Sequence, residues 1–329
     1  MLGRLFGLVL ALVGLAALVA VGGYFALKRA DIPYETLATH YESGASRYVD
    51  LPGGVRTHYR DQGAGPTLLL IHGFSASLHT WEPWVEQLGG DYRIVTLDLP
   101  GHGLTSAPAG HQPSMQGYAA IVEEFAQALD IARFAIGGNS MGGHVAWEYA
   151  LAHPERVDAL ILVDSAGWPD TRSDPEKAPL VFRLLANPLA ASLLRDLDTT
   201  RLTRDALVSS FPAHADLVDD AMVARYTEMS RAPGHRDVLL QLMSPNARTY
   251  ATPERLAALS APVLILHGAR DALIPPENAQ KFKDAIPQSE LVIFEGIGHA
   301  PQEEIPEDSA LAVHEFLYRL IERPALTAE

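Results

Sequence analysis

The chain has 329 residues, 48% of them hydrophobic and 20% charged, and its 40 acidic against 25 basic side chains give a formal charge of −15. That charge repels phosphate backbones and argues against nucleic acid as a partner, while the hydrophobic share suits a globular core rather than extended disorder. With no cysteine there is no disulfide, thiolate nucleophile or cysteine-ligated metal, and the compartment stays open.

From residue 5 to 27 no side chain is charged. A helix rising about 1.5 Å per residue over that run would span a hydrocarbon core of roughly 30 Å. Arg4 precedes it, Lys28 and Arg29 follow it, and Tyr24 and Phe25 stand where an interfacial aromatic belt would lie. A cleaved signal peptide would have an apolar part of about 7 to 15 residues and a small-residue cleavage site. This run is longer, and Val19-Ala20 is a weak site. Residues 1–30 are therefore expected to be a single-pass membrane anchor. Its flanking charges are nearly balanced, but signal-anchor habit favours a catalytic domain on the non-cytoplasmic, periplasmic side.

Residues 31–46 are polar and carry Pro33, which reads as a linker. Short apolar runs then recur at 68–71, 94–97, 134–136, 160–163, 263–266 and 291–294, each bounded by Gly, Pro or Asp, as buried parallel strands should be. Helical spacing fills residues 118–129, 143–152 and 278–285 between them. Alternating strand and helix predicts a parallel sheet covered on both faces. From 168 to 250 no strand is evident, only helix-like stretches such as 180–185 and 217–229 divided by Pro188, Pro212 and Pro233. The expected domains are a core at 47–167, a helical insertion at 168–250 and the rest of the core at 251–329.

Gly138-Asn139-Ser140-Met141-Gly142 follows one strand and opens a helix, the context of a nucleophile elbow. Small residues flank the serine because the turn is sharp. A serine hydroxyl needs a base to remove its proton, and the base needs an acceptor to fix its tautomer. Asp271 and His299 each follow a later strand, at the same sheet edge as Ser140, in the order Ser, Asp, His. Taken singly, Asp271 could be a helix-cap aspartate and His299 a loop histidine. Asp164, also at a strand end, is a rival acid. The oxyanion donors are expected to be the N–H groups of Met141, at a helix start, and of Phe74 in His72-Gly73-Phe74-Ser75. His72 and His102 read as structural residues of their loops. No metal or cofactor site is expected.

The motifs His72-Gly73-Phe74, Asp98-Leu99-Pro100-Gly101-His102-Gly103, Gly138-Asn139-Ser140-Met141-Gly142-Gly143, Asp271 before Leu273-Ile274-Pro275, and Gly298-His299 occur in an order that resembles the α/β-hydrolase superfamily. The likeness runs from about Tyr48 to Leu320, and within the superfamily it looks like membrane-bound monoacylglycerol lipases and bacterial carboxylesterases. It implies an α/β fold with a mostly parallel eight-stranded sheet, helices on both faces, a helical cap, and hydrolysis through an acyl-enzyme. The expected substrate is an acyl glycerol or other apolar ester. Gly-Asn-Ser-Met-Gly-Gly also occurs in hydrolases that cleave carbon-carbon bonds of ring-fission products, though those usually have a more glycine-rich oxyanion loop. Cofactor-free haloperoxidases and perhydrolases share the serine triad. Ser140 stands against the aspartate-nucleophile dehalogenases and epoxide hydrolases. Outside enzymes, the same fold could serve as a noncatalytic ligand receptor.

Overall fold

The structure, a computed structural model, describes residues 2–169, 187, 190–191, 194–247 and 249–326. Its centre is one eight-stranded sheet: β1 (Ser46–Asp50), β2 (Arg56–Gly63), β3 (Thr67–Ile71), β4 (Arg93–Leu97), β5 (Phe134–Asn139), β6 (Val157–Val163), β7 (Val263–Gly268) and β8 (Glu290–Phe294). They lie in the order β1-β2-β4-β3-β5-β6-β7-β8. Only the β1–β2 and β2–β4 pairs are antiparallel. The six apolar runs of the sequence are the six strands from β3 to β8. Those at the centre are buried on both faces, which explains their unbroken Val, Ile and Leu content.

Helices close both faces. Tyr118 and Phe125 of α4 (Met115–Ala128) join Trp147 and Tyr149 of α5 (Met141–Ala152) in one core layer. Trp84 of α3 (Glu82–Leu88) packs with Trp81 and Phe316 in the other. The chain leaves β3 for β4 on one side and returns to β5 on the other, so a crevice opens at the carboxyl ends of β3 and β5.

Between β6 and β7 the described residues form helices and no named strand: α6 (Thr200–Ser210), α7 (Asp220–Met229), α8 (His235–Leu242) and the short α9 (Pro253–Leu256). The helix-like stretch expected at 180–185 and Pro188 lie outside the described residues. Pro33 does not interrupt a helix. It caps one, α2 (Tyr34–Tyr41), because a proline at a helix start loses no hydrogen bond. Leu37 of α2 is fully buried and Tyr41 donates to Glu228 of α7 at 2.8 Å.

The N-terminal expectation needs correction. Residues 2–27 form helix α1 (Leu2–Leu27), but among the described residues no helix is long and apolar enough to cross a membrane. An uncharged run of that length with charged and aromatic flanks is a necessary condition for a span and not a sufficient one. The single-pass anchor, the transmembrane helix, the membrane as partner and the non-cytoplasmic placement are therefore set aside. The end of α1 is instead tied to the helical insertion: Asp198 N donates to the Leu27 carbonyl at 2.8 Å and Arg29 N to that of Asp196 at 2.7 Å.

Candidate active site

Ser140 joins β5 to α5 with φ 55° and ψ −113°, a conformation that side chains disfavour. The surrounding backbone holds it there. Ser140 N donates to the Val163 carbonyl at 2.9 Å, and the Ser140 carbonyl accepts from Ala166 N at 3.0 Å and His144 N at 3.1 Å. Gly142 is required by space, since a Cβ on it would stand 2.1 Å from the Ile71 carbonyl oxygen of the neighbouring strand. The elbow thus packs directly on the end of β3.

Asp271 and His299 meet. His299 Nδ1 donates to Asp271 Oδ2 at 2.7 Å. The other carboxylate oxygen accepts from Leu273 N at 2.7 Å and Ile274 N at 3.0 Å. Burial pushes the Asp271 carboxyl up, but nearby His299, its hydrogen bond, the Ile274 N–H and His267 outweigh burial and hold it below the ordinary aspartate range. Asn139, beside Ser140, donates its side-chain amide to the His299 carbonyl at 2.9 Å, which ties elbow to histidine loop. Among the described residues the Ser140 hydroxyl and the His299 ring form no hydrogen bond with each other. Such bonds in ligand-free sites are commonly long and tighten when substrate binds.

The loop after β3 lies against the elbow: a Cβ on Gly73 would be 3.5 Å from Ser140 Cβ. His72 shapes this loop, its Nδ1 donating to the Gly73 carbonyl at 2.8 Å and its Nε2 accepting from Leu99 N at 3.0 Å. Burial lowers its pKa and keeps the ring neutral, as a two-sided structural role requires. His102 packs on His72 at 4.8 Å between ring centroids and is likewise held neutral by burial. No hydrogen bond among the described residues engages the N–H of Phe74 or of Met141.

Phe74, Ser140 and Met141 line one cavity of about 440 Å³. Its wall mixes the apolar side chains of Met115, Leu242, Leu273 and Ile274 with the polar ones of His144, Thr249 and Asn278, and none of its described lining residues is Lys, Arg, Asp or Glu. A larger cleft of about 560 Å³ beside Tyr34 and His235 contains no serine. His299 is not among the cavity's lining residues and reaches the elbow through its loop. Asp164, Asp271 and His299 are the one group of three metal-type side chains in mutual reach among the described residues. The Asp271–His299 hydrogen bond uses the atoms a cation would need.

Three positioning features escaped the sequence reading. Glu304 accepts from Gly298 N at 2.7 Å and from Ala213 N at 2.8 Å, and so clamps the histidine loop to the helical insertion. In the cavity wall, Thr249 bonds His144 at 3.0 Å and also the Glu148 carboxylate, which pairs with Arg255 at 2.8 Å. Asn139 is the third. Only Asn139 had a sequence signal, its place in the elbow; the others depend on pairings with residues about a hundred positions away, Glu304 with Ala213 and Thr249 and Arg255 with α5.

A family model described as the alpha/beta hydrolase fold matches residues 66–306. The 2-hydroxy-6-oxo-6-(2'-aminophenyl)hexa-2,4-dienoic acid hydrolase of Metapseudomonas resinovorans is 30% identical over 291 residues, covering 84% of this chain and 94% of that protein. Among solved structures, a membrane phospholipase A described as a bacterial virulence factor aligns with TM-score 0.69 and 28% identity over 97% of this chain and 99% of that one. A thermophilic esterase from Thermogutta terrifontis aligns with TM-score 0.69 and 27% identity over 83% and 99%.

Proposed function

Because the chain belongs to the α/β-hydrolase family, we propose that it is a serine hydrolase of neutral, apolar carboxylic esters, acting through Ser140, His299 and Asp271. The observation that carries this reading is the uncharged cavity of about 440 Å³ with Ser140 in its wall. A neutral acyl chain enters such a cavity without desolvating an unpaired charge, and a carboxylate would find no cation among its described lining residues.

In this reading Ser140 Oγ attacks the ester carbonyl while His299 Nε2 takes its proton. Asp271 holds Nδ1–H and stabilises the imidazolium. The Phe74 and Met141 N–H groups receive the oxyanion, each worth roughly 3 kcal/mol of the barrier. Collapse expels the alcohol, protonated by His299, and leaves the acyl group on Ser140. Water, deprotonated by His299, then releases the acid and restores the serine. The helical insertion acts as a cap: Leu242 of α8 lines the cavity, and the Ser210 carbonyl of α6 accepts from His299 N at 3.0 Å.

A second reading is carbon-carbon bond hydrolysis, favoured by the relative named for a dienoic acid. The two differ in the charge of the substrate. A p-nitrophenyl ester series from acetyl to palmitoyl, run beside a ring-fission dienoate, separates them. Turnover of esters that is lost in Ser140→Ala supports the proposal. Turnover of the dienoate alone overturns it in favour of the second reading.

A further inference from the structure

Asp164 has no part in the reaction as drawn, yet it is built into the site. It follows β6, the strand between those that deliver Ser140 and Asp271. It is fully buried, and its φ of 45° lies in the region that favours glycine, so the surrounding structure holds it against a local preference. Oδ1 accepts from Gly268 N at 2.9 Å, no N–H group donates to Oδ2, and the carboxyl shares a hydrogen bond with Asp271. One carboxyl oxygen of Asp164, one of Asp271 and a ring nitrogen of His299 all lie within 4.8 Å of one another.

The other titratable groups facing Asp164 are His267 and Glu304. His267 Nε2 is 3.6 Å from Asp164 and donates to the Ile274 carbonyl at 3.3 Å, and burial lowers its pKa. Glu304 is taken up by Gly298, Ala213 and His214. Neither supplies Asp164 with a counter-charge. Two carboxyl groups this close in the interior do not both ionise. Asp271 receives three donors and Asp164 one, so the negative charge sits on Asp271 and the proton on Asp164. Burial first, and then the charge of Asp271, push the Asp164 carboxyl well above the ordinary aspartate value.

We propose that Asp164 is a second positioning carboxyl of this site, which takes over the hydrogen bond to His299 Nδ1 when Asp271 loses its charge. The proposal rests on the reading of His299 as the base. Without the Asp271 charge the like-charge repulsion disappears while burial remains, so Asp164 gives up its proton only above the ordinary aspartate range, and its freed oxygen then turns to the imidazole a few ångströms away.

The test compares kcat/KM against pH on one p-nitrophenyl ester for the full chain and for Asp271→Asn, Asp164→Asn and the double variant. Removing an orienting aspartate with no replacement costs roughly 10,000-fold. Here Asp271→Asn is expected to lose only about 100-fold and to gain an acid-side limb at higher pH than the parent. The double variant is expected to lose about 100-fold more and to lack that limb. A purely structural Asp164 would move stability without creating a new limb. Equal activity of Asp271→Asn and the double variant at every pH overturns the proposal. Should Asp164→Asn not fold, Asp271→Asn alone decides. A low-field His299 Nδ1–H proton resonance emerging above its acid limb supports the takeover, and its absence overturns it. Ser140→Ala in the same series keeps the failures apart: if it stays active, the serine mechanism itself falls.

Discussion

Ser140 carries a backbone conformation that an ordinary serine would leave, and its three backbone hydrogen bonds show how it is kept. Strain of this kind costs on the order of 1–3 kcal/mol and persists only where neighbours over-determine it. Asp271 works in the opposite sense, stabilising through its three donors. Its carboxyl is held below the ordinary value of 3.8, so its contribution to stability is fully present above that value and is lost as pH falls through the lower folded-state value. Asp271→Asn removes that dependence. In urea titrations the stability gap between parent and variant is expected to be largest near neutrality and to close as pH falls below the ordinary aspartate value. A gap that widens in acid would contradict the assignment.

At the scale of elements, the site depends on a close fit of strand ends. Gly142→Ala drives a Cβ to 2.1 Å from the Ile71 carbonyl, part of the unyielding centre of the sheet. Expected is a loss of more than about 3 kcal/mol, seen as a collapsed yield of folded protein by circular dichroism. Normal stability would mean that the elbow does not pack on β3. Helix α5 carries the second element-level test. Burial raises the Glu148 carboxyl, but hydrogen bonds from His144, Arg255 and Thr249 outweigh it and hold the pKa at about 2. Glu148→Gln should cost about 1–3 kcal/mol near neutral pH, where the carboxylate is charged. That cost should fade as pH drops from the ordinary glutamate range toward 2, read as a converging thermal midpoint.

Legibility followed the same physics. Strands β3 to β8 were readable as apolar runs because burial on both faces leaves little choice of side chain. β1 and β2 were not, since they lie at the sheet's antiparallel end and carry polar residues whose partners are distant. His58 on β2 is buried only because it bonds Asp98 at 2.7 Å, and Arg60 because it pairs with Glu82 at 2.5 Å. Ser140, Asp271 and His299 stood out as candidates because each follows a strand within a short patterned loop. Their contacts with Asn139, Glu304 and Asp164 depend on how the strands are ordered, which no local pattern encodes.

For the whole molecule, the sheet order brings residues 74, 140, 164, 271 and 299 from distant parts of the chain to one edge. The uncharged N-terminal run misled because a spacing argument tests length and charge alone. The end of its helix joins the insertion, where Arg231 donates to the Ala30 carbonyl at 2.9 Å and Arg29 pairs with Asp198 at 2.7 Å. The chain just past this helix and the proposed cap therefore pack together, while most of the helix itself is exposed. The central claim is that the cap covers a serine that becomes acylated. Its most direct test is to mix the protein with a p-nitrophenyl acyl ester, quench in acid within the first turnovers, and locate the added mass by peptide mass spectrometry. The acyl mass is expected on the peptide containing Ser140 and absent from Ser140→Ala; steady turnover with no adduct at Ser140, or with the adduct on another residue, would contradict the account.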